Sequence, residues 1–292
     1  MGSRIVATGR AQPRTAVTNS DLARVMDTSD EWIRTRTGIA RRYVMASGES
    51  LVDIAAAASK TALERAGIRP AELEAIIVGT VSAEYGFPSF ACQLQHRLGL
   101  DSIPAYDVAA ACSGFIYALS VADNAMRVGE YSRVLLVGTD ALSTMVDWND
   151  RAVAVLFGDG AGAAVMVSEA GPRGVLSSLL HSAGEYWHML SVRATGVRAT
   201  LDSEVRRSPG DAIKMKGPEL FKIAVRSMAD VTLKVAERAG VHLEDIALIV
   251  PHQANMRILN AVADRLGIAQ DKSGGNESSG SQSAIGRAHQ AA

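Results

Sequence analysis

Two stretches of this chain carry the same order of apolar and polar positions. Residues 51–79 and 220–251 each read as an amphipathic helix closed by glycine, a short loop and an unbroken apolar run. Glu64-Arg65-Ala66-Gly67 returns as Glu237-Arg238-Ala239-Gly240, and Ile76-Ile77-Val78 returns as Leu248-Ile249-Val250 with one residue of slippage. A strand without polar alternation is buried on both faces, which predicts a mostly parallel sheet covered by helices. Another helix follows each strand, at 89–98 and 255–266, and both run into Arg-Leu-Gly, at Arg97-Leu98-Gly99 and Arg265-Leu266-Gly267. Three elements repeated in one order predict a duplicated α/β unit, with a site where the strand ends of the two halves meet.

Between the copies lie a strand-like run at 105–108, a long apolar helix at 113–128 and a strand at 134–138. Two β-like runs follow, 152–157 and 161–167, joined by Gly158-Asp159-Gly160. A phosphate loop needs a helix N-terminus behind its glycines, and the run after Gly160 reads as strand, so a hairpin is expected. The boundary between halves falls in the turn 168–174, giving an N-terminal half 1–170 and a C-terminal half 171–292. Residues 182–210 read as loop and cap. From about 272 the pattern stops: in the closing stretch Ile285 is the sole large aliphatic residue, and the second half is expected to be incomplete.

Composition and charge narrow the function classes. Thirty Lys and Arg against thirty-one Asp and Glu leave a net charge of −1, so no global field favours nucleic acid or an anionic membrane. The longest uncharged stretch, 108–122, falls short of the ~20 residues a membrane helix needs. Arg4 and Arg10 interrupt the start before a signal-peptide core can form. A cytoplasmic protein is expected, without nucleic-acid or membrane partners, and its two cysteines make no disulfide framework.

Cys112 sits where a buried strand meets the first turn of an apolar helix, among small neighbours (Ala109 to Ala111, Ser113, Gly114). Unpaired N–H groups and the helix dipole favour a thiolate there. Position alone admits both a nucleophile and a core filler; Cys92, inside a helix, reads as filler. His252 follows the second copy's strand directly after Pro251. A lone histidine is commonly structural, but the repeat lets His252 and Cys112 converge from matching strand ends as a Cys/His acyl-transfer pair. His96, His181, His188, His242 and His289 lack such placement, and none of the six histidines has metal-ligand spacing.

Asp27-Thr-Ser-Asp-Glu-Trp-Ile-Arg-Thr-Arg-Thr-Gly-Ile39, Phe87-Pro88-Ser89, Asp107 to Phe115, Asp150-Arg151, Phe157-Gly-Asp-Gly-Ala-Gly-Ala163 and Val250-Pro-His-Gln-Ala-Asn255 occur in one specific order and spacing. In this the chain resembles the β-ketoacyl-acyl carrier protein synthase III family over residues 1 to about 270. The resemblance implies a thiolase-like α/β fold of two duplicated mixed-sheet halves covered by helices. It also implies an acyltransferase that condenses an acyl-coenzyme A primer with malonyl-acyl carrier protein and so initiates fatty acid synthesis. Cys112 would carry the acyl group, and neutral His252 would donate to the malonyl thioester oxygen as it becomes an enolate. Trp32 and Arg151 match positions that sandwich adenine, Arg36 one near the coenzyme phosphates, and Asn255 one near the pantetheine arm. Gln253, Ala254, Asn255, Met256 and Arg257 match a carrier-protein segment. With Arg257, Lys214, Lys216 and Lys222 could form a basic patch for an acidic carrier protein, although a solvated helix face accounts for the lysines equally well. Phe87 matches a residue inserted across a homodimer interface to limit the acyl pocket. No cofactor is implied beyond coenzyme A as part of the substrate.

The family's pattern is departed from at the end. A third catalytic residue, an asparagine in a Gly-Asn-Thr-Ser turn, follows the histidine after one more strand; Gln282 stands at the corresponding spacing, and Asn276 is the nearest match. The glycine-rich loop that completes the oxyanion hole has no counterpart. Two further readings therefore stand beside the synthase: a catalytically impaired homologue, and a condensing or ester-forming relative from secondary metabolism.

Overall fold

β4 (Ala75–Gly79), the apolar run of the first repeat, is buried along its whole length because parallel strands flank it on both sides. β5 (Ala105–Val108) and β6 (Arg133–Ala141) place Tyr106 and Leu136 opposite Ile77. β7 (Asp159–Glu169) then returns antiparallel to β6, and β1 (Gly2–Ala11) runs antiparallel to β7 at the far edge. The five-stranded order is β1-β7-β6-β4-β5, so the sheet is mixed where the apolar runs alone predict a mostly parallel one. The computed structural model describes residues 2–171, 173–193 and 212–268.

The pleat sends alternate residues of β4 into two separate cores. Ile76 and Val78 meet α3 (Leu51–Ala66) and α4 (Phe90–Arg97), whereas Ala75 and Ile77 meet Ala118, Ala122 and Met126 of α5 (Gly114–Arg127). Local chemistry sets the helix ends. Gly67, at φ 65°, closes α3; the Ser89 hydroxyl caps α4, and Asp107 accepts from the N–H groups of Phe90 and Ala91 in its first turn. A β-carbon on Gly79 would lie 2.6 Å from the Gly114 carbonyl carbon, so this glycine pair lets α5 rest directly on the sheet.

The antiparallel pair β2 (Thr15–Thr18) and β3 (Arg41–Val44) lies beside the sheet with α1 (Asn19–Leu22) and α2 (Asp30–Thr37). The β-like run 152–157 is instead α6 (Arg151–Ala154), started by Asp150, whose carboxylate accepts from the Ala152 N–H at 2.9 Å. The expected hairpin around Gly158-Asp159-Gly160 is therefore absent: the strand begins at Asp159 and pairs with β1 and β6. In the second half, β8 (Leu190–Ser191) pairs with β9 (Lys214–Met215). α7 (Gly217–Ala239) packs on α8 (Met256–Leu266) around Ala229, Ile258, Val262 and Leu266. Over 248–250 Ile249 makes an isolated bridge in place of the expected strand, and among the described residues no strand is paired with it.

Candidate active site

Cys112 lies in a single tight turn, Ala111–Ser113, between β5 and α5. Ala111 has φ 44°, a left-handed conformation that costs an alanine about 1–2 kcal/mol and holds the next side chain off the regular helix path. The Cys112 side chain reaches solvent, which removes the core-filler reading. Cys92 is half-buried, with its sulfur 3.7 Å from the Ala105 carbonyl. The thiol's acidity departs from the helix-dipole expectation. Desolvation first, and the Asp140 carboxylate second, push the Cys112 pKa above the ordinary thiol value, opposed only by its own backbone N–H.

Asp140 was not singled out by pattern, although an acid at the end of an apolar strand run was a visible signal. Its Oδ1 accepts from the Val81 N–H at 2.9 Å, the Ser82 hydroxyl at 2.8 Å and the Thr80 hydroxyl at 3.2 Å. Ser82 Oγ accepts in turn from the Ala141 N–H at 2.7 Å. This ring ties the outgoing ends of β4 and β6 together, and desolvation raises the Asp140 pKa against those hydrogen bonds.

Trp32, Arg36 and Arg151 come together as their order in the chain alone could not show. Ser29 caps α2 by accepting from the Trp32 N–H, which sets Trp32 in the first helical turn and Arg36 one turn on. The guanidinium carbon of Arg36 stands 4.5 Å from the indole centroid and that of Arg151, from α6, stands 5.1 Å away. Arg151 is held at this distance by Asp27, through its backbone carbonyl and its carboxylate. An aromatic ring with two planar cations within about 5 Å of its centre suits a nucleotide base and its phosphates.

His252 is exposed in the segment leading to α8, yet desolvation lowers its pKa, so the imidazole is neutral at pH 7 and carries one N–H donor. The residues after it divide by role. Asn255 Oδ1 caps α8, accepting from the Ile258 N–H at 2.9 Å; its NH₂ remains a donor. Ala254 packs into the α7/α8 core, and Met256 presses against Gly38, where a β-carbon would lie 2.8 Å from its own. Gln253 is half-buried, while Arg257 is exposed with its guanidinium 5.8 Å from the Phe221 ring. Of the five carrier-segment residues, Ala254 and Met256 are thus packing contacts. Lys214, Lys216 and Lys222 are all exposed, and Phe87 is 88% exposed in the loop before α4. Asn276 and Gln282 lie outside the described residues, as does His289.

Residues 106–184 match the family model of 3-oxoacyl-[acyl-carrier-protein] synthase III, and residues 236–285 match that of its C-terminal part. The second match runs past 270, where the resemblance was expected to end. Beta-ketoacyl-[acyl-carrier-protein] synthase III of Aquifex aeolicus is 43% identical over 272 residues, 93% of this chain and 83% of that protein. Its namesake in Methylococcus capsulatus is 45% identical over 270 residues, 92% of this chain and 82% of that protein. The crystal structure of the Aquifex aeolicus synthase superposes with a TM-score of 0.90 at 41% identity, covering 99% of this chain and 90% of that one. The priming beta-ketosynthase of the R1128 polyketide pathway superposes at 0.83 with 34% identity, covering 93% and 80%. The chain belongs to the 3-oxoacyl-[acyl-carrier-protein] synthase III family, on a thiolase-like α/β fold.

Proposed function

We propose that this enzyme condenses an acyl-coenzyme A primer with malonyl-acyl carrier protein, releasing carbon dioxide and giving 3-oxoacyl-acyl carrier protein, the step that initiates fatty acid synthesis. The observation that carries the reading is the solvent-reached Cys112 on its strained turn at the mouth of a parallel strand. Its sulfur, as thiolate, attacks the acyl carbonyl; the bond to coenzyme A breaks, and coenzyme A leaves with a proton. Malonyl thioester then loses its carboxylate as carbon dioxide, and the enolate carbon attacks the Cys112 thioester and expels the thiolate. Neutral His252 donates to the enolate oxygen as negative charge builds there. A raised thiol pKa makes the thiolate scarcer and intrinsically more nucleophilic. No cofactor enters this scheme, since coenzyme A is part of the substrate.

Trp32, Arg36 and Arg151 would hold the nucleotide end of coenzyme A, and Asn255 the pantetheine arm. Gln253 and Arg257, with the exposed lysines, would meet the carrier protein. A homodimer is supported by β5, a half-exposed edge strand at the end of the sheet, and by Phe87 exposed beside it. A cytoplasmic location is supported by the free cysteines, and no described helix is long and apolar enough to cross a membrane.

The test is incubation of the chain with radiolabelled acetyl-coenzyme A, then with malonyl-acyl carrier protein. Label should enter at Cys112, be lost in Cys112→Ala, and pass to 3-oxoacyl-carrier protein. Label that stays on Cys112 without condensation would instead establish the impaired homologue, a reading favoured by the exposed apolar positions of the second half. A product other than the 3-oxoacyl thioester would place the chain with the secondary-metabolism relatives, towards which the R1128 ketosynthase similarity points.

A further inference from the structure

Arg42 on β3 is 1% exposed, and among the described residues no carboxylate pairs with it. Its guanidinium donates to neutral acceptors alone. Nη2 reaches Asn19 Oδ1 at 2.8 Å and the Val155 carbonyl at 3.2 Å, Nη1 reaches the Val17 carbonyl at 3.3 Å, and Nε is buried without a partner. Desolvation lowers the Arg42 pKa to about 10, which still leaves it charged at neutral pH. A buried cation without a counter-ion is costly, and general packing could be served by an apolar chain. The acceptors it reaches show what the cation adds.

Asn19, itself fully buried, grips both ends of α2. Its Nδ2 donates at 2.8 Å to Asp30 Oδ1, in the first residue of that helix, and at 2.8 Å to the carbonyl of Ile39, just past its closing glycine. Val155 is the residue that ends α6. One guanidinium therefore bonds, through Asn19, the helix that carries Trp32 and Arg36 and, directly, the helix that carries Arg151. The first of these helices supplies Trp32 and Arg36 and the second supplies Arg151, the three members of the stack.

We propose that Arg42, acting through Asn19, is a positioning residue that sets the spacing of the Trp32–Arg36–Arg151 stack and thereby the affinity for thioesters carrying an adenine nucleotide. The inference rests on the reading of that stack as the nucleotide site. The experiment measures coenzyme A affinity by calorimetry beside the rate of Cys112 alkylation by iodoacetamide, which needs neither nucleotide nor turnover. In Arg42→Lys, which keeps the charge and loses the fork, Kd for coenzyme A should rise about tenfold, the scale of one lost cation–π stack, with alkylation within about twofold. Asp30→Ala, at an exposed position, should weaken coenzyme A about threefold by freeing one end of α2, again sparing alkylation. It decides the matter should Arg42→Lys fail to fold. Parallel loss of affinity and alkylation, or unchanged coenzyme A affinity in both variants, overturns the positioning role. Trp32→Ala serves as the control. If it leaves coenzyme A affinity intact, the nucleotide-site reading itself fails; if it weakens affinity while the other variants do not, the positioning inference alone fails.

Discussion

The two copies of the repeated unit have nearly the same pattern and different fates. In the first, α3 buries eight residues from Leu51 to Leu63 and β4 is buried throughout. In the second, α7 is longer but buries only Ala229 and Ala236, leaves Leu233 48% exposed, and is followed by an apolar run whose Val250 is 37% exposed. Helix stops, loops and caps agree: Gly67 and Gly240 take φ 65° and 67°, each ending its helix. Hydrogen bonds along the chain form from local sequence in either copy, whereas an apolar strand is buried only when neighbours flank it. β5 and β6 do this for β4, and no described strand does it for 248–250.

The largest expected contrast uses one residue type at one repeat position. Ile77→Ala should destabilise the protein by ~2–5 kcal/mol in denaturant unfolding, since Ile77 is fully buried between β5, β6 and α5. Ile249→Ala, only half-buried, should cost under about 1.5 kcal/mol. Equal costs would show that the second copy's strand is as sheltered as the first. Next come the caps: Gly67→Ala and Gly240→Ala should each cost about 1 kcal/mol, because both glycines are left-handed and both would place a β-carbon in open space. Unequal values would break the claim that local rules act identically in the two copies.

The smallest effect on stability, and the most specific to chemistry, concerns the two titrating groups that the halves contribute. Cys112 alkylation by iodoacetamide should keep rising above the pH at which free cysteine levels off. Asp140→Asn, which keeps the acceptor oxygen and removes the charge, should shift that profile to lower pH. A profile that stays in place would remove Asp140 from the control of Cys112. Condensation starting from enzyme already acylated on Cys112 should lose rate, as pH falls, at a lower pH than an ordinary imidazole would give, since desolvation holds the His252 pKa down. A loss of rate at the ordinary histidine pKa would show that its desolvation is not realised.

Much of the first half was legible. Predicted helices at 89–98 and 113–128 appear as α4 and α5 within a residue or two, and the strands at 105–108 and 134–138 as β5 and β6, because apolar periodicity and a flanking serine or glycine are local signals. Three features escaped. β1 carries Arg4, Gly9 and small residues, so its burial against β7 leaves little trace in its pattern. The run at 152–157 has β-like residues but begins at a capping aspartate, which a hydrophobicity pattern does not register. Arg42 and Asp140 read as ordinary charged positions, and only partners far along the chain show that one is entombed and that the other ties the ends of β4 and β6 together and raises the Cys112 pKa.

The sequence by itself determined the order of elements, the helix ends, the duplicated unit and the choice of Cys112 and His252 as candidates. Each depends on residues close together in the chain or on residue types with particular chemistry. The tertiary structure decided which copy of the repeat becomes buried sheet, that the Cys112 thiol is disfavoured as an anion, and that Trp32 meets two guanidiniums from different helices. Burial, desolvation and stacking depend on atoms brought together from distant parts of the chain, and local pattern carries no record of which neighbours arrive.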